Sequence, residues 1–311
     1  MNDIVENNPL VSILINNYNY GCFLGAAIES ALSQTYQNIE IIVVDDGSTD
    51  NSREIIAHYG NCLIPILKEN GGQASAFNTG FAASQGDIIS FLDSDDEYLP
   101  GKISEVIKIF NKFPESNWFF HPYKQVNLIN NKTFEPIPSL IEGEKDVRSS
   151  ILKGKIPFSH PGILGICVRR SFLAQILPMP EGRGITMSDE YIKELAMGLG
   201  KGYYSNQILA IQKIHGNNLF TERKNRLTTQ INIFVQTSYW IRKKYPEFIE
   251  RTNRMYAMAL LYYYQQGGLK YDSSAFADEY WSTSPLAEKI KITILFLYYC
   301  ISHLIHSKIS D

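Results

Sequence analysis

The chain has 311 residues, of which 44% are apolar and 20% are charged, and its formal net charge at pH 7 is -3. This composition is typical of a globular protein, and the length suits one large α/β domain or a domain with an appendage. The slightly acidic balance excludes the basic surface with which proteins bind nucleic-acid phosphates, so no nucleic-acid partner is expected.

Residues 9–100 alternate between apolar runs and helical patterns. Strands are predicted at Val11–Ile15, at Ile39–Val44, near Leu63–Leu67 and over DIISFL at 87–92, because short β-branched runs suit strands that are buried on both faces. Apolar residues at helical spacing follow each of the first three runs. This alternation is typical of a parallel sheet with right-handed crossovers.

The pattern loosens after residue 100. It predicts helices or short strands at 102–113, 118–123, 124–128, 163–168 and 189–199, a loop-rich stretch at 131–160, and helices at 222–243, 248–266 and 286–306. We therefore divide the chain into an α/β catalytic domain, 1–220, and a helical C-terminal region, 221–311.

Cysteine usage and the N-terminus predict a cytoplasmic location. The four cysteines are scattered and form no CxxC pair, which favours a reducing compartment over a disulfide framework or a structural zinc site. The stretch MNDIVENNPL has neither a basic region nor an apolar core, so no signal peptide is expected.

One segment hints at a membrane. Residues 292–305 (ITILFLYYCISHLI) are nearly all apolar and follow Lys289 and Lys291. The segment is too short to span a bilayer, which needs roughly 20 residues. Two interpretations stay open: a buried C-terminal helix, or a helix that lies in the membrane interface with aromatic residues and lysines at its edge.

Polar residues follow all four predicted strands of 9–100. In an open parallel sheet, ligands bind outside the carboxyl ends of the strands. Any one polar set suits a solvated turn, but four sets on one edge favour a ligand site. The sets are Asn16, Asn17, Tyr18 and Asn19; Asp45 and Asp46; Gly71, Gly72 and Gln73; and Asp93, Asp95, Asp96 and Glu97.

The acids of FLDSDDEYLP at 91–100 have no neighbouring cation. Mg²⁺ and Mn²⁺ prefer oxygen ligands, and substrate phosphates commonly complete their coordination. This chemistry points to a nucleotide or a nucleotide-diphosphate compound. The sequence signatures of dinucleotide-binding Rossmann enzymes, P-loop proteins and GxSxG hydrolases are missing.

Four segments in order, VSILINNYN, SALSQTYQNIEIIVVDDGSTDNS, NGGQASAFNTGF and GDIISFLDSDD, closely resemble glycosyltransferase family 2. The resemblance implies a GT-A fold, an α/β domain with a mainly parallel central sheet, here followed by a helical region. It implies an inverting, metal-dependent transfer of a sugar from a nucleotide-diphospho-sugar, with a UDP-sugar favoured, to a saccharide or lipid-linked acceptor. The implied setting is surface polysaccharide biosynthesis in the cytoplasm, with 292–305 holding the enzyme at the inner face of the cell membrane.

The resemblance also assigns donor-binding residues. Tyr18 matches a tyrosine that stacks on the nucleotide base, Asn16 lines the base pocket, and Asp46 hydrogen-bonds the base. The loop with Gly72 and Gln73 contacts the donor, and its glycine allows close backbone approach. Asn78 in the following helix belongs to the same donor-binding set.

The metal motif of the family, D-x-D, corresponds to Asp93-Ser94-Asp95. Asp95 is the expected metal ligand, and Asp93 contacts the ribose or a metal-bound water beside it. Asp96 is a further ligand or, the favoured interpretation, the N-cap of a short turn. His215 in IQKIHGNN approaches the metal or the diphosphate. Phe77 stands where many members carry a basic residue, so what else neutralises the diphosphate is left open.

An inverting transfer needs a base near the anomeric carbon. The family usually places it in an acidic pair, often Glu-Asp, that opens a helix, whereas here the pair reads Asp189-Glu190. By its position in the pair, Glu190 is favoured as the base, whereas by side-chain type Asp189 is favoured. Alternatively, both acids could complement the helix dipole. His160 is a weaker candidate for sugar contacts.

Two other classes stay open. A degenerate family member would bind a nucleotide or partner without catalysis, and the reversed acidic pair is compatible with that. A sugar nucleotidyltransferase would also bind a nucleotide and a metal, but it usually has an Arg-containing loop after the first strand, and NNYNYG has no Arg.

Overall fold

The computed structural model describes residues 8–137, 141–156, 158, 161–182, 185, 189–216, 218, 226–268 and 274–307. The strands are β1 (Val11–Asn17), β2 (Ile39–Asp46), β3 (Ile64–Lys68), β4 (Ile88–Asp93), β5 (Glu97–Tyr98), β6 (Trp118–Phe120), β7 (Tyr123–Asn127), β8 (Lys132–Ile137), β9 (Gly143–Lys145), β10 (Ile166–Arg169), β11 (Gly202–Tyr204) and β12 (Ala210–Ile214). The helices are α1 (Gly21–Leu32), α2 (Ser52–His58), α3 (Gly72–Ala83), α4 (Lys102–Lys112), α5 (Arg148–Leu152), α6 (Arg170–Ile176), α7 (Asp189–Leu199), α8 (Arg226–Lys244), α9 (Ile249–Gln265), α10 (Ser274–Thr283) and α11 (Leu286–Ser307).

The central sheet has eight strands in the order β3-β2-β1-β4-β10-β6-β11-β9. The pairs among β3, β2, β1 and β4 are all parallel, and β11 is parallel to β6. The register sets Asn17 opposite Asp45 and Asn16 opposite Asp93. The carboxyl ends of β1, β2 and β4 therefore lie side by side, and the predicted α/β fold with a mainly parallel sheet is confirmed.

The second half of the fold departs from simple alternation. Strand β10 runs antiparallel to β4 and β6, and a second sheet has the order β5-β12-β7-β8. The loop-rich prediction for 131–160 was wrong in part, because β8, β9 and α5 lie there. Likewise, the strand predicted at 163–168 begins with a 3₁₀ turn, Ile163–Gly165, and continues only as β10.

The core lies on both faces of the central sheet. Ile13 and Ile15 point to the face covered by α1 and α4, whereas Leu14 between them packs with α3 and α7 on the other face. This alternation follows from the two-residue repeat of a strand. Phe77 of α3 is buried edge-on against Phe91 of β4, with ring centroids 5.4 Å apart, so the position that is basic in many family members belongs here to the core.

The helical C-terminal region packs against the α/β part through α8 and α9. Ile241 and Phe248 join the same apolar cluster as Tyr191 of α7. Arg251 of α9 forms a buried ion pair with Glu194 of α7, with a 2.8 Å hydrogen bond from Nε. Helices α8, α9 and α11 match the predicted ones in place, whereas α10 was not predicted.

Helix α11 buries one face and exposes the other. Ile292 is fully buried, and Phe296 packs against the cluster formed with α8 and α9. The opposite face exposes a row of large apolar side chains, which we call the α11 stripe: Leu286, Ile290, Ile294, Leu297, Tyr298, Ile301, Leu304 and Ile305. The interpretation of a wholly buried helix is therefore wrong. Within the described residues, no helix has both the length and the apolar character needed to cross a membrane.

Candidate active site

The turn after β2 is fixed by Asp45. Its carboxylate accepts hydrogen bonds from Asn17 Nδ2 at 3.0 Å, from the Ser48 N–H at 3.1 Å and from Arg53 Nε at 2.9 Å. Burial alone would raise the pKa of Asp45, but these hydrogen bonds together lower it below its usual value. All of these contacts are internal, so Asp45 holds the turn.

Asp46, the next residue, joins β2 to the loop before α3. Its carboxylate accepts the N–H groups of Gly71 at 2.9 Å and Gly72 at 2.8 Å, and Lys68 Nζ lies 2.6 Å away. Gly72 adopts a φ of +83°, a left-handed conformation that favours glycine. The base contact expected of Asp46 stays a prediction, and Lys68 is a cation at this edge that sequence reasoning missed.

Of the predicted donor-binding side chains, one is exposed and two carry buried polar atoms with no partner among the described residues. Tyr18, directly after β1, is 44% exposed. Both amide atoms of Asn16 and the Oε1 of Gln73 are buried and have no hydrogen-bond partner among the described residues. Native structures rarely leave buried polar atoms unpaired, so these atoms are suited to pair with a bound ligand.

The acidic turn after β4 carries strong mutual repulsion. Burial, then the charges of Asp95 and Asp189, raises the pKa of Asp93 well above its usual range. Burial, followed by the charges of Asp95 and Asp93, also raises the pKa of Asp96 well above its usual value. A divalent cation between these carboxylates would relieve the repulsion and restore their ionised forms.

His215 and Asn218 converge on Asp95. The Asp95 Oδ2 lies 3.2 Å from His215 Nε2 and accepts a hydrogen bond from Asn218 Nδ2 at 3.1 Å. The imidazole stacks on Phe23 with ring centroids 4.2 Å apart, and its Nδ1 is buried with no hydrogen-bond partner among the described residues. The structure thus brings together two of the three residues predicted for a metal, Asp95 and His215, and adds Asn218.

Asp96 and Glu97 connect the acidic turn to β12. Asp96 accepts the N–H of Lys213 at 2.9 Å, and Glu97 forms an ion pair with Lys213 Nζ. The favoured interpretation of Asp96 as the N-cap of a short turn was wrong, because Asp96 closes the turn that Asp93 begins: its N–H donates to the Asp93 carbonyl at 3.0 Å, and the strand β5 follows. These contacts hold β12, and with it His215, beside Asp95.

The acidic pair opens α7, as predicted. Asp189 Oδ2 accepts the N–H of Ile163 at 3.0 Å, and Lys193 Nζ lies 3.0 Å from both Asp189 and Glu190. The charge of Asp189 reaches Asp93, whereas the charge of Glu190 helps to raise the pKa of Arg251, against the effect of burial. The charge of Asp189 therefore acts on the acidic turn, whereas the charge of Glu190 acts on Arg251 of α9.

Asn78 is used within the chain. Its Nδ2 donates to the Met179 carbonyl at 2.8 Å, and its Oδ1 accepts the Met179 N–H at 2.7 Å. Asn78 therefore anchors the segment before 183, and its donor contact stays a prediction. His160, the weaker candidate for sugar contacts, lies outside the described residues.

The donor set fits a hard divalent cation that is completed by substrate. In the described part of the chain, no three His, Cys, Asp or Glu side chains are grouped to hold a metal ion by themselves. A diphosphate-bridged Mg²⁺ or Mn²⁺ needs only one or two protein carboxylates. Asp95 and Asp93 supply carboxylate oxygens, the ligands that these ions prefer, and the imidazole of His215 lies beside Asp95.

The fold and the site define an α/β protein whose parallel strands end in a polar, acidic edge. The chain belongs to Glycosyl transferase family 2, whose sequence model matches residues 12–169.

Several bacterial proteins that are named glycosyltransferases are similar to this chain. An uncharacterized glycosyltransferase of Nostoc sp. is 35% identical over 67% of this chain and 66% of its own length. One of Rickettsia prowazekii is 50% identical over 34% of this chain and 33% of its own length. The Escherichia coli protein named UDP-Glc:alpha-D-GlcNAc-diphosphoundecaprenol beta-1,3-glucosyltransferase WfaP is 44% identical over 35% of this chain and 46% of its own. The aligned parts thus cover less than two thirds of these relatives.

Among solved structures, S. aureus TarS 1-349 in complex with UDP-GlcNAc has the same fold. It superposes with a TM-score of 0.59 at 15% identity and covers 86% of this chain and 78% of that chain. At this identity, the likeness shows the fold alone.

Proposed function

We propose that this protein is a metal-dependent inverting glycosyltransferase that transfers a sugar from a UDP-sugar to a hydroxyl of a saccharide or lipid-linked acceptor. The observation that carries the proposal is the convergence of Asp95, His215 and Asn218 at the end of a parallel strand, with Asp189 facing the same turn. Membership of Glycosyl transferase family 2 supports it.

The nucleotide lies across the ends of β1 and β2. Tyr18 stacks on the base, and the unpaired amide of Asn16 supplies both a donor and an acceptor to it. Asp46 either contacts the base directly or positions the loop whose Gly71 and Gly72 N–H groups it accepts. Gly72 and Gln73 begin α3, whose N-terminal dipole favours the diphosphate.

Asp95 and His215 would hold the metal, Asp93 would add a further negative charge, and Asn218 orients the Asp95 carboxylate. The ion would neutralise the negative charge that develops on the departing diphosphate. Lys68 supplies a further positive charge near this edge, at the end of β3 and not at the position of Phe77.

Asp189 is the residue that we assign as the general base. Its carboxylate takes the proton of the acceptor hydroxyl as that oxygen attacks the anomeric carbon, from the face opposite the departing UDP. The carbon–oxygen bond to UDP breaks as the new glycosidic bond forms, so the anomeric configuration inverts. Asp189 is favoured over Glu190 because its charge acts on the acidic turn.

The acceptor and the α11 stripe suggest the setting. WfaP carries a lipid-linked acceptor in its name, and a lipid-linked saccharide presents its hydroxyl close to a bilayer. The α11 stripe offers an apolar face that suits the membrane interface, with Lys289 and Lys291 at its beginning. Residues 1–220 then form the catalytic domain and 221–311 the helical region, which holds the enzyme at the inner face of the cell membrane, in the cytoplasm.

Thermal unfolding tests the nucleotide and metal parts of this proposal. We expect UDP with Mn²⁺ to raise the melting temperature more than either alone, because the two ligands complete one site. GDP and dTDP serve as matched controls for the base. No stabilisation by any of the three nucleotides, with or without Mn²⁺, would contradict the proposal.

A further inference from the structure

Lys193 of α7 stands between the two acids of the pair. Its Nζ lies 3.0 Å from Asp189 Oδ2 and 3.0 Å from Glu190 Oε2, and only 9% of its side chain is exposed. Burial alone would lower the pKa of Lys193, but the charges and hydrogen bonds of the two acids raise it above its ordinary value. Lys193 is therefore a buried cation that is shared by two carboxylates.

The Asp189 carboxylate is also held from a second side. The N–H of Ile163 donates to its Oδ2 at 3.0 Å. Ile163 begins the 3₁₀ turn before β10, and that turn is itself fixed, because Lys102 Nζ donates to the Leu164 carbonyl at 2.7 Å. Among the described residues, both contacts to the Asp189 side chain are made to Oδ2, and Oδ1 is the oxygen that we assign to the acceptor hydroxyl.

Resting on the proposed function, we infer that Lys193 is a positioning residue for the transfer: it holds Asp189 in the orientation that presents Oδ1 to the acceptor, with Glu190 anchoring the other side of the ammonium group. The reversed order of the pair then has a physical meaning. The first acid faces the reaction, and the second acid, turned toward Arg251, holds the lysine.

The surrounding charges explain why a cation is needed. Asp93, Asp95 and Asp96 lie at the facing turn, and Asp93 is close enough for the charge of Asp189 to act on it. The charges of Lys193, Asp96 and Asp189 also act on the hydroxyl of Tyr123 in β7. Without Lys193, like-charge repulsion would turn Asp189 away from the turn, and two mostly buried acids would lose their common partner.

Steady-state kinetics of sugar transfer test this role. Lys193→Met should lower kcat by roughly 100-fold, the size expected for misplacing a reacting group, while the KM for the UDP-sugar stays unchanged. Lys193→Arg, which keeps the charge, should recover part of the loss. Asp189→Asn should be the least active variant, and Glu190→Gln should lose less. Lys108→Met removes an exposed lysine that pairs at the same helical spacing and should be silent.

Two outcomes separate this inference from the proposed function. If Lys193→Met keeps the wild-type kcat while Asp189→Asn is inactive, the role of Lys193 is overturned and the transferase stands. If the wild type transfers no sugar, the proposed transferase activity is overturned. Melting temperatures then test whether Lys193 and Asp189 are coupled, in Lys193→Met, Asp189→Asn and the double variant. Losses smaller than additive in the double variant support the coupling, and fully additive losses overturn it.

Discussion

Asp95 Oδ2 lies 3.2 Å from His215 Nε2, although the two residues are 120 positions apart in the chain. Asp95 belongs to the turn after β4, and His215 follows β12. The antiparallel pairing of β12 with β5 brings the two together, and the ion pair of Glu97 with Lys213 fixes that pairing. The acidic turn therefore has two roles. Asp95 contacts His215 at the carboxyl ends of the strands, whereas Asp96 and Glu97 hold β12, the strand that His215 follows.

Replacing Asp95 tests the metal assignment. In Asp95→Asn, we expect UDP to raise the melting temperature equally with and without Mn²⁺, because the amide no longer provides an anionic ligand. Glu115→Gln, which changes an exposed carboxylate before β6, is the control, and it should retain the additional stabilisation by Mn²⁺. An unchanged response to Mn²⁺ in Asp95→Asn would remove Asp95 from the metal site.

Tyr18 tests the base site. Stacking of an aromatic side chain on a base contributes about 1–3 kcal/mol, so Tyr18→Ala should weaken UDP binding by a corresponding amount in a calorimetric titration. Tyr18→Phe keeps the ring and should bind nearly as the wild type does. Equal affinities of Tyr18→Ala and the wild type would place the base elsewhere.

The ion pair of Arg251 with Glu194 tests how the helical region supports α7. Arg251→Met leaves a buried carboxylate without its partner, and such losses lower the free energy of unfolding by about 3–5 kcal/mol. The double variant with Glu194→Met should recover much of this loss. Lys291→Met breaks an exposed pair with Glu250 and should cost at most about 1 kcal/mol. Similar losses for both single variants in denaturant titrations would contradict the buried character of the Arg251 pair.

Lys102 gives stability a defined pH dependence. Burial lowers the pKa of Lys102 to about 8, whereas a lysine in the unfolded chain has a pKa of about 10.4. Between these values the unfolded chain binds the additional proton, so the free energy of unfolding rises with pH in this window.

In Lys102→Met this contribution disappears. The stability of the wild type relative to the variant should therefore increase by roughly 3 kcal/mol from about pH 8 to about pH 10.4. Denaturant titrations of both proteins across this range measure the difference, and the subtraction cancels the titration of the tyrosines. A flat difference would mean that Lys102 stays charged in the folded protein.

The α11 stripe tests the membrane contact. Replacing both Ile294 and Ile301, which are 61% and 58% exposed, by Gln should reduce sedimentation with phosphatidylglycerol-containing vesicles, because less apolar surface enters the interface. Ile129→Gln changes an equally exposed isoleucine outside the stripe and should sediment as the wild type does. If the wild type does not sediment with vesicles, the membrane contact is excluded.

The first strands of the central sheet could be predicted from the sequence because each is a short apolar run with clear ends. Val11–Asn17 and Ile39–Asp46 are buried on both faces, which leaves a continuous apolar run that ends where polar residues begin. The stretch 131–160 gives no such signal. Among the described residues, its strands β8 and β9 pair only with β7 and β11, respectively, so long-range pairing and not a local pattern decides their conformation.

The parts of the site that consist of residues adjacent in sequence could be predicted. The contacts between residues far apart in sequence could not. The acids of 93–97 and the pair 189–190 stand out in the sequence, and the bond between Asn78 and Met179 joins residues that no local pattern connects. Lys193 could have been found, because residues three and four apart on a helix face each other. Which acid faces the turn depends on the packing of α7 against α9, which the sequence does not reveal.

The most direct test is the product of a transfer reaction with an α-linked UDP-sugar, such as UDP-glucose or UDP-N-acetylglucosamine, and a GlcNAc-diphosphoundecaprenol-type acceptor in the presence of Mn²⁺. Anomeric proton couplings in the NMR spectrum report the configuration of the new linkage. We predict a β-linked product whose formation stops when the metal is chelated and in Asp189→Asn. An α-linked product, or a transfer that proceeds unchanged without metal, would contradict the proposed function.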